Sequence, residues 1–319
     1  MSERYERKKL AQSITVARLY YEDALDQTEI AHNLGISRPT VSRLLKLARK
    51  TGVIKIEINN PFVNAEDLGV QLVEKYKLNI HVVPNNYNGE VSVLDGIGAY
   101  TAQYLSQTLK PKDVIGLGWG NTIHSVTEHM PRVPMPDVQV VQLKGGINLG
   151  YEHTYANESV TQMAYALGAT PHFLPLPPFF DSDVTKEIVE QDKFIKSTLE
   201  LGRTANIALF TVGTVRNDAL LFRLGYFDAK QKAALQRKAV GDVVSRFIDR
   251  DGNVVSDSLN DRTVGIGLDD LKAKKHSIVV AAGILKAPVV HAVMKAGYAN
   301  EFIVDQAIAQ ELLTYNNEV

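Results

Sequence analysis

The chain has 319 residues, of which 45% are hydrophobic and 22% charged, with eight histidines and no cysteine. That composition is ordinary for a globular protein and long enough for two domains, and it excludes disulfides, thiolate zinc sites and a cysteine nucleophile. No run of eighteen apolar residues marks a transmembrane helix, the opening MSERYERKKLAQS lacks the apolar core of a secretory signal, and the absence of cysteine fits a reducing cytoplasm, the expected compartment.

The net charge of −1 hides an asymmetry. Residues 1–58 hold 11 Lys/Arg and 7 Asp/Glu, a net of +4, and the remainder holds 24 and 29, a net of −5. Six basic residues and no acidic one lie between Arg38 and Lys55. A basic head on an acidic body predicts a polyanion partner for the head alone.

The head reads QTEIAHNLGISRPTVSRLLK over residues 27–46. Gln27 to Leu34 carries Ile30, Ala31 and Leu34 at helical spacing, and Gly35 follows where a helix ending in a tight turn needs positive φ. Ser37 takes an N-cap position and Pro39 the first turn of a second helix. Val41, Leu44, Leu45 and Ala48 continue one apolar stripe. Two short helices joined by a glycine turn, with a basic outer face on the second, predict a helix-turn-helix. Its second helix brings Ser37, Arg38, Pro39, Thr40, Ser42 and Arg43 to the end that enters a major groove, with Gln27 at the start of the first helix. Arg38 and Arg43 can each fork onto guanine. Thr40 and Ser42 suit phosphate or base, and Lys46, Arg49 and Lys50 suit phosphates. The alternative is a helical hairpin with a solvated basic face. GVIKIEI, residues 52–58, predicts a short strand and hence a reduced wing, and NNPFVNAE opens a linker.

From Glu66 onward β-rich runs alternate with helical patterns. The runs are 79–84, 113–120, 138–144, 206–214, 277–283 and 301–306, and helical stretches such as VLDGIGAYTAQYLSQTL and APVVHAVMKAG lie between them. This predicts an α/β domain with a mostly parallel sheet, whose ligands sit beyond the carboxyl ends of the strands. In GLGWGNTIHSV, Gly118 and Gly120 let backbone approach a ligand. Asn121 or Thr122 can cap the following helix, and the helix start favours an anion. An ordinary strand-to-helix turn is the alternative. AAGILKAPVV repeats the idea, with Lys286 beside a helix start, where it can reach a phosphate or serve as a plain surface lysine. Asp242 follows a glycine and can accept from sugar hydroxyls or cap a turn. Strand 138–144 ends in Lys144 and a Gly-Gly turn. DRDGN resembles a calcium loop, but its twelfth position is Asn260 rather than Glu, so a hairpin turn is expected. No Walker loop, H-E-x-x-H or G-x-S-x-G occurs, so no metal and no cofactor is expected.

Taken together, YYEDALDQTEIAHNLGISRPTVSRLLKLARKTGVIKIEI, GLGWGNT, VGDVVSRFIDRDGNVVSD and AAGILKAPVVHAVMKAGYANEFIVDQAIAQELL resemble the SorC family of bacterial transcriptional regulators. The resemblance covers nearly the whole chain, and the head is its most specific part. It implies a DNA-binding domain over 1–58, a linker over 59–65, and a Rossmann-like, sugar-phosphate-isomerase-like effector and oligomerisation domain over 66–319. It implies a homodimer or homotetramer on paired half-sites of double-stranded operator DNA, controlled by a phosphorylated sugar and not tied to a membrane. Carried over by position, Gly118, Gly120, Asn121, Thr122 and Lys286 match the family's phosphate-binding elements, and Asn157 and Asp242 fall where it contacts the sugar. The family's deoxyribonucleoside-regulator branch implies a Schiff base between Lys144 and deoxyribose 5-phosphate. Burial would favour the neutral amine that such chemistry needs, and Gly145 and Gly146 would leave room for the sugar carbon chain. Ionic pairing of Lys144 with the phosphate or with a body carboxylate, or no ligand role, are the alternatives, and with them a regulator that answers non-covalently to another sugar phosphate. An isomerase or Schiff-base aldolase is the rival class, but the chain offers no assigned proton-transfer partner for Lys144, so a regulator and not an enzyme is expected.

Overall fold

The computed structural model describes residues 3–21, 23, 25–54, 64–85, 92–147 and 152–316. The chain divides into two compact units, Met1–Phe62 and Val63–Val319.

In the first unit, α1 (Glu3–Tyr21), α2 (Gln27–Leu34) and α3 (Arg38–Lys50) share one core of Val16, Ile30, Ala31, Val41, Leu44 and Leu45. Asp26 starts α2 through a capping box. Its carboxylate accepts from the Thr28 and Glu29 amides at 2.6 and 2.9 Å, and Glu29 accepts from the Asp26 amide at 2.8 Å. Gly35 ends α2 at φ 62°, the left-handed conformation expected of it. Ser37 is the N-cap residue of α3, yet its hydroxyl pairs with Thr40 Oγ1 at 2.9 Å and not with a helix amide. Residues 52–54 form a turn and irregular chain. The rest of the expected wing strand, 55–58, and residues 59–63 of the expected linker lie outside the described residues. The linker stops short of its expected end: α4 (Ala65–Tyr76) already begins at Ala65, capped by Asn64.

The second unit is built on a seven-stranded parallel sheet. In chain order its strands are β1 (Asn79–Val83), β2 (Val114–Leu117), β3 (Gln139–Gln142), β4 (Thr170–His172), β5 (Ile207–Phe210), β9 (His276–Ala281) and β10 (Glu301–Asp305). The spatial order is β1-β10-β9-β5-β2-β3-β4. A smaller antiparallel sheet joins β6 (Val212–Gly213), β7 (Gly241–Val243) and β8 (Arg246–Ile248). The expected run 206–214 is therefore broken at Thr211, where the chain leaves the main sheet.

Alternation along the strands sorts residues to two buried faces, as a parallel sheet requires. Ala208, Phe210, Val279, Ala281, Phe302 and Val304 pack on α4, α14 (Ala287–Ala296) and α15 (Gln306–Thr314). Ile207, Leu209, Ile278, Val280 and Ile303 pack on α5 (Val93–Thr108), α6 (Asn121–Glu128) and α7 (Ala156–Leu167). The remaining helices are α8 (Asp183–Glu190), α9 (Lys193–Thr204), α10 (Leu220–Arg223), α11 (Ala229–Lys238), α12 (Asp257–Asp261) and α13 (Leu268–Lys272). Among the described residues no helix is long and apolar enough to cross a membrane.

The seating of α6 rests on a backbone-close crossing with α5. A Cβ at Gly98 would lie 2.2 Å from Ser125 Oγ and 2.9 Å from the Ser125 carbonyl carbon. Gly98→Ala should therefore force the helices apart and cost about 2 kcal/mol of stability. Urea denaturation should show a lower midpoint with an unchanged slope.

Candidate functional site

Strands β2, β3, β5 and β9 all deliver their carboxyl ends to one place. A cavity of about 240 Å³ opens there, lined among others by Trp119, Thr122, Lys144, Thr211, Asp242 and Lys286. A larger groove of about 990 Å³ runs along α4 and β1, but its Glu66, Glu74 and Lys77 are exposed, so it concentrates no charge.

Lys144 follows β3 and forms an antiparallel bridge with Gly265. Only 4% of it is exposed. Its Nζ lies 3.8 Å from the centroid of the Trp119 ring. Burial pulls its pKa down to about 8, opposed by the nearby Asp242 carboxylate and assisted by Arg246. Asp242 is equally buried and sits on β7. The β7–β8 hairpin turns through Val244 and Ser245, at φ 43° and 70°, an unusual conformation for a β-branched residue. This turn lets the Ser245 amide donate to Asp242 Oδ2 at 3.1 Å. Opposite it, a Cβ at Gly213 would lie 1.9 Å from Asp242 Oδ1, so only glycine leaves room for the carboxylate. Burial raises the Asp242 pKa, while Lys144, the Ser245 amide and Lys286 pull it back.

Lys286 enters from the loop after β9, immediately before α14. The residue is half-buried, and its ammonium donates to Thr211 Oγ1 at 3.2 Å and Thr122 Oγ1 at 3.4 Å. Burial lowers its pKa to about 8, opposed by Asp242 and Asp305. The two glycine-bearing loops thus meet, one supplying Thr122 and the other Lys286. Gly120, at φ 122°, is the N-cap residue of α6, and no side chain caps that helix. Neither Asn121 nor Thr122 serves as the cap: they are its first two residues, and both line the cavity. An uncapped helix start beside an ammonium is suited to an anion.

Three expected site features fall elsewhere. Gly118 does not line the cavity; its α-carbon abuts β5, and a Cβ there would lie 3.1 Å from Phe210 Cβ. Gly145 and Gly146 leave no room for a ligand, because protein fills that space. Added Cβ atoms would meet the Pro177 carbonyl oxygen at 2.1 Å and Ala156 Cβ at 2.5 Å. Asn157 is exposed in the first turn of α7 and does not line the cavity. DRDGN is the turn expected of it: the Asp249 carboxylate accepts from the Asp251 and Asn253 amides, both at 2.9 Å, and Ile248 bridges Val254.

Sequence reasoning missed Trp119, Thr211 and Arg223 as lining residues, and Arg246 behind Lys144. Nothing local marks Thr211 or Arg223. Trp119 carried a signal, as the only tryptophan of the chain and the centre of a glycine-flanked loop.

Residues 60–314 match the family described as "Putative sugar-binding domain". The chain is 44% identical over 309 residues to the deoxyribonucleoside regulator of Bacillus subtilis (strain 168), covering 97% of this chain and 99% of that protein. It is 29% identical to the sorbitol operon regulator of Klebsiella pneumoniae over 94% of this chain and 96% of that one. Among solved structures it is similar to the full-length sorbitol operon regulator SorC of K. pneumoniae, with a TM-score of 0.72 and 27% identity over 96% of this chain and 100% of that one. A domain of a possible sugar-binding transcriptional regulator from Arthrobacter aurescens TC1 matches with a TM-score of 0.73 and 30% identity, over 80% of this chain and 100% of that one.

Lys144, Lys286 and Arg246 bring positive charge to a buried site where Asp242 faces both lysines. Removing the anion should therefore hurt more than removing one cation. Asp242→Asn should cost about 3 kcal/mol, the usual loss when a buried charge is stripped of its partner. Lys144→Met should stay within about 1 kcal/mol of wild type, because Asp242 keeps Lys286. Thermal melts of the ligand-free variants at pH 7 check this order. A Lys144→Met melt as low as that of Asp242→Asn would contradict it.

Proposed function

The chain belongs to the SorC/DeoR-type transcriptional regulators with a sugar-binding domain, and from that premise we propose that it represses deoxyribonucleoside or sugar catabolism by binding operator DNA under the control of deoxyribose 5-phosphate. It is a regulator and not an enzyme, as its relatives are. The observation that carries the effector assignment is the Lys144 ammonium, buried within the influence of the Asp242 carboxylate in the cavity at the carboxyl ends of the strands.

A lysine with a pKa of about 8 is neutral in about one molecule in ten at pH 7. At the ordinary value the fraction is about one in three thousand. The neutral amine attacks the aldehyde carbon of the open-chain sugar. The two nitrogen protons leave with the carbonyl oxygen as water, and a C=N bond remains. Lys286, Thr122, Asn121 and the start of α6 hold the phosphate, and Asp242 takes a sugar hydroxyl. The deoxyribonucleoside regulator at 44% identity supports this effector over another sugar phosphate. A non-covalent sugar-phosphate site, with Lys144 as charge partner, is the second reading.

The head is read as a helix-turn-helix. Arg38, Arg43 and Lys46 are exposed on α3, and Ser37, Pro39, Thr40, Ser42 and Gln27 complete the surface offered to DNA. Ligand binding shifts a homodimer or homotetramer between DNA-competent and incompetent forms, by no more than its differential affinity for the two.

Incubation with deoxyribose 5-phosphate and borohydride, followed by peptide mass spectrometry, should give a stable adduct on Lys144 that is absent from Lys144→Arg. The trapping rate should rise with pH through about 8, because the neutral amine is the nucleophile. Reversible sugar-phosphate binding without an adduct would leave Lys144 a charge partner. Arg43→Ala should weaken operator binding about ten- to hundredfold and leave effector binding intact. Operator affinity should fall steeply with salt, and salt-insensitive binding would contradict the placement of the basic helix.

A further inference from the structure

Trp119 is the single tryptophan of the chain. It is 3% exposed, and its ring face meets the Lys144 ammonium at 3.8 Å. Its orientation is fixed from three sides. The indole N–H donates to the Gly145 carbonyl at 2.8 Å. Gly146 lies so close that a Cβ there would sit 3.1 Å from the indole Cδ1. The rest of the ring belongs to an aromatic and aliphatic core that includes Ala156, Phe179, Leu221 and Phe222. The backbone after Lys144 thus serves this contact: residue 145 offers its carbonyl, and Gly146 leaves space for the ring edge.

We propose that Trp119 is the positioning residue of the site, holding the Lys144 side chain at the cavity wall by a cation–π contact and tuning how readily that amine gives up its proton. This rests on the reading of Lys144 as the reactive amine, and assigns to another residue the control of its reactivity. An indole face stabilises an ammonium and has no comparable attraction for the neutral amine. Trp119 therefore acts in the same sense as Asp242, which favours the charged form, and against burial and Arg246, which disfavour it. Lys286 enters indirectly, by facing the same Asp242 carboxylate. The charged amine is parked on the indole until it deprotonates, and its reach is set by a ring that cannot swing. A desolvated cation–π contact is strong enough to move a lysine pKa by about one unit.

The test needs no sugar. Tryptophan fluorescence of the full chain, titrated from pH 6 to 10, should show a transition near pH 8 as charge leaves the indole face, and Lys144→Met should remove all of it but what Lys286 contributes from the same cavity. Acetylation of Lys144 by acetic anhydride, followed by peptide mass spectrometry, should give the same midpoint in wild type. Trp119→Leu should lower that midpoint by about one unit, while Trp119→Phe, which keeps an aromatic face, should stay closer to wild type. A fluorescence transition equally large in Lys144→Met, or a midpoint unmoved in folded Trp119→Leu, would overturn the assignment. If Trp119→Leu fails to fold, the fluorescence pair decides. Failure of borohydride trapping with the fluorescence transition intact would instead remove the Schiff base and leave Trp119 as the holder of Lys144.

Discussion

Two buried ammonium groups facing one buried carboxylate form the constraint on which the second unit is organised. Lys144, Lys286 and Asp242 come from three separate segments, and each would be costly to enclose alone. The fold meets that cost with supports for the carboxylate. Gly213 makes space for it, Ser245 donates to it, and a two-residue turn through left-handed Val244 and Ser245 fixes its height. Arg246 behind Lys144 has Asp270 and Glu190 beside it, so the charge an anionic ligand would meet in the cavity is that of the two lysine ammoniums. Placement at the carboxyl ends of parallel strands adds an uncapped helix start of the same sign.

Much of this architecture was legible because it is periodic. The strands of the main sheet alternate between two cores, and each run in the sequence marks a real strand. Several runs extend past the paired strand, most of all after β2 and β3, where the chain stays buried and carries glycines beyond the last paired residue. Gly118 and Gly120 follow β2 in this way, and Thr211 carries the chain from β5 into another sheet. β4 was missed: it has three residues with proline in the middle, on a sheet edge where a missing donor does least harm. The β7–β8 hairpin was missed because its turn uses Val and Ser where Asn-Gly is the usual signal. In the first unit Gly35 announced the turn, while Asp26 and Glu29, a capping box in plain view, went unused.

The site itself was half legible, and the division follows distance along the chain. Loops after β2 and β9 could be suspected one at a time from glycine, threonine and lysine. That they meet, with Lys286 donating to Thr122, depends on strand order, which no local pattern encodes. The Gly145-Gly146 pair signals a close neighbour without saying which. An empty Cα signals that something approaches closely, and here the visitor is protein: the Pro177 backbone, Ala156 and the Trp119 ring.

A site of this design would separate two tests of its ligand. Phosphate recognition would rest on charge, so any small phosphate would answer to Lys286 and the start of α6 in some degree. Imine formation would rest on a carbonyl carbon reaching the Lys144 nitrogen, which lines the same cavity of about 240 Å³. Inorganic phosphate passes the first test alone, and an unphosphorylated aldehyde only the second. A ligand carrying both groups at the right separation gains from each without losing translational freedom twice, the usual advantage of linking two contacts. Because imine formation releases water and reverses in it, such a bond would strengthen the complex while the sugar is abundant and let it go when the sugar is consumed. A regulator needs that reversibility, whereas an irreversible lysine adduct would report only that the sugar had once been present.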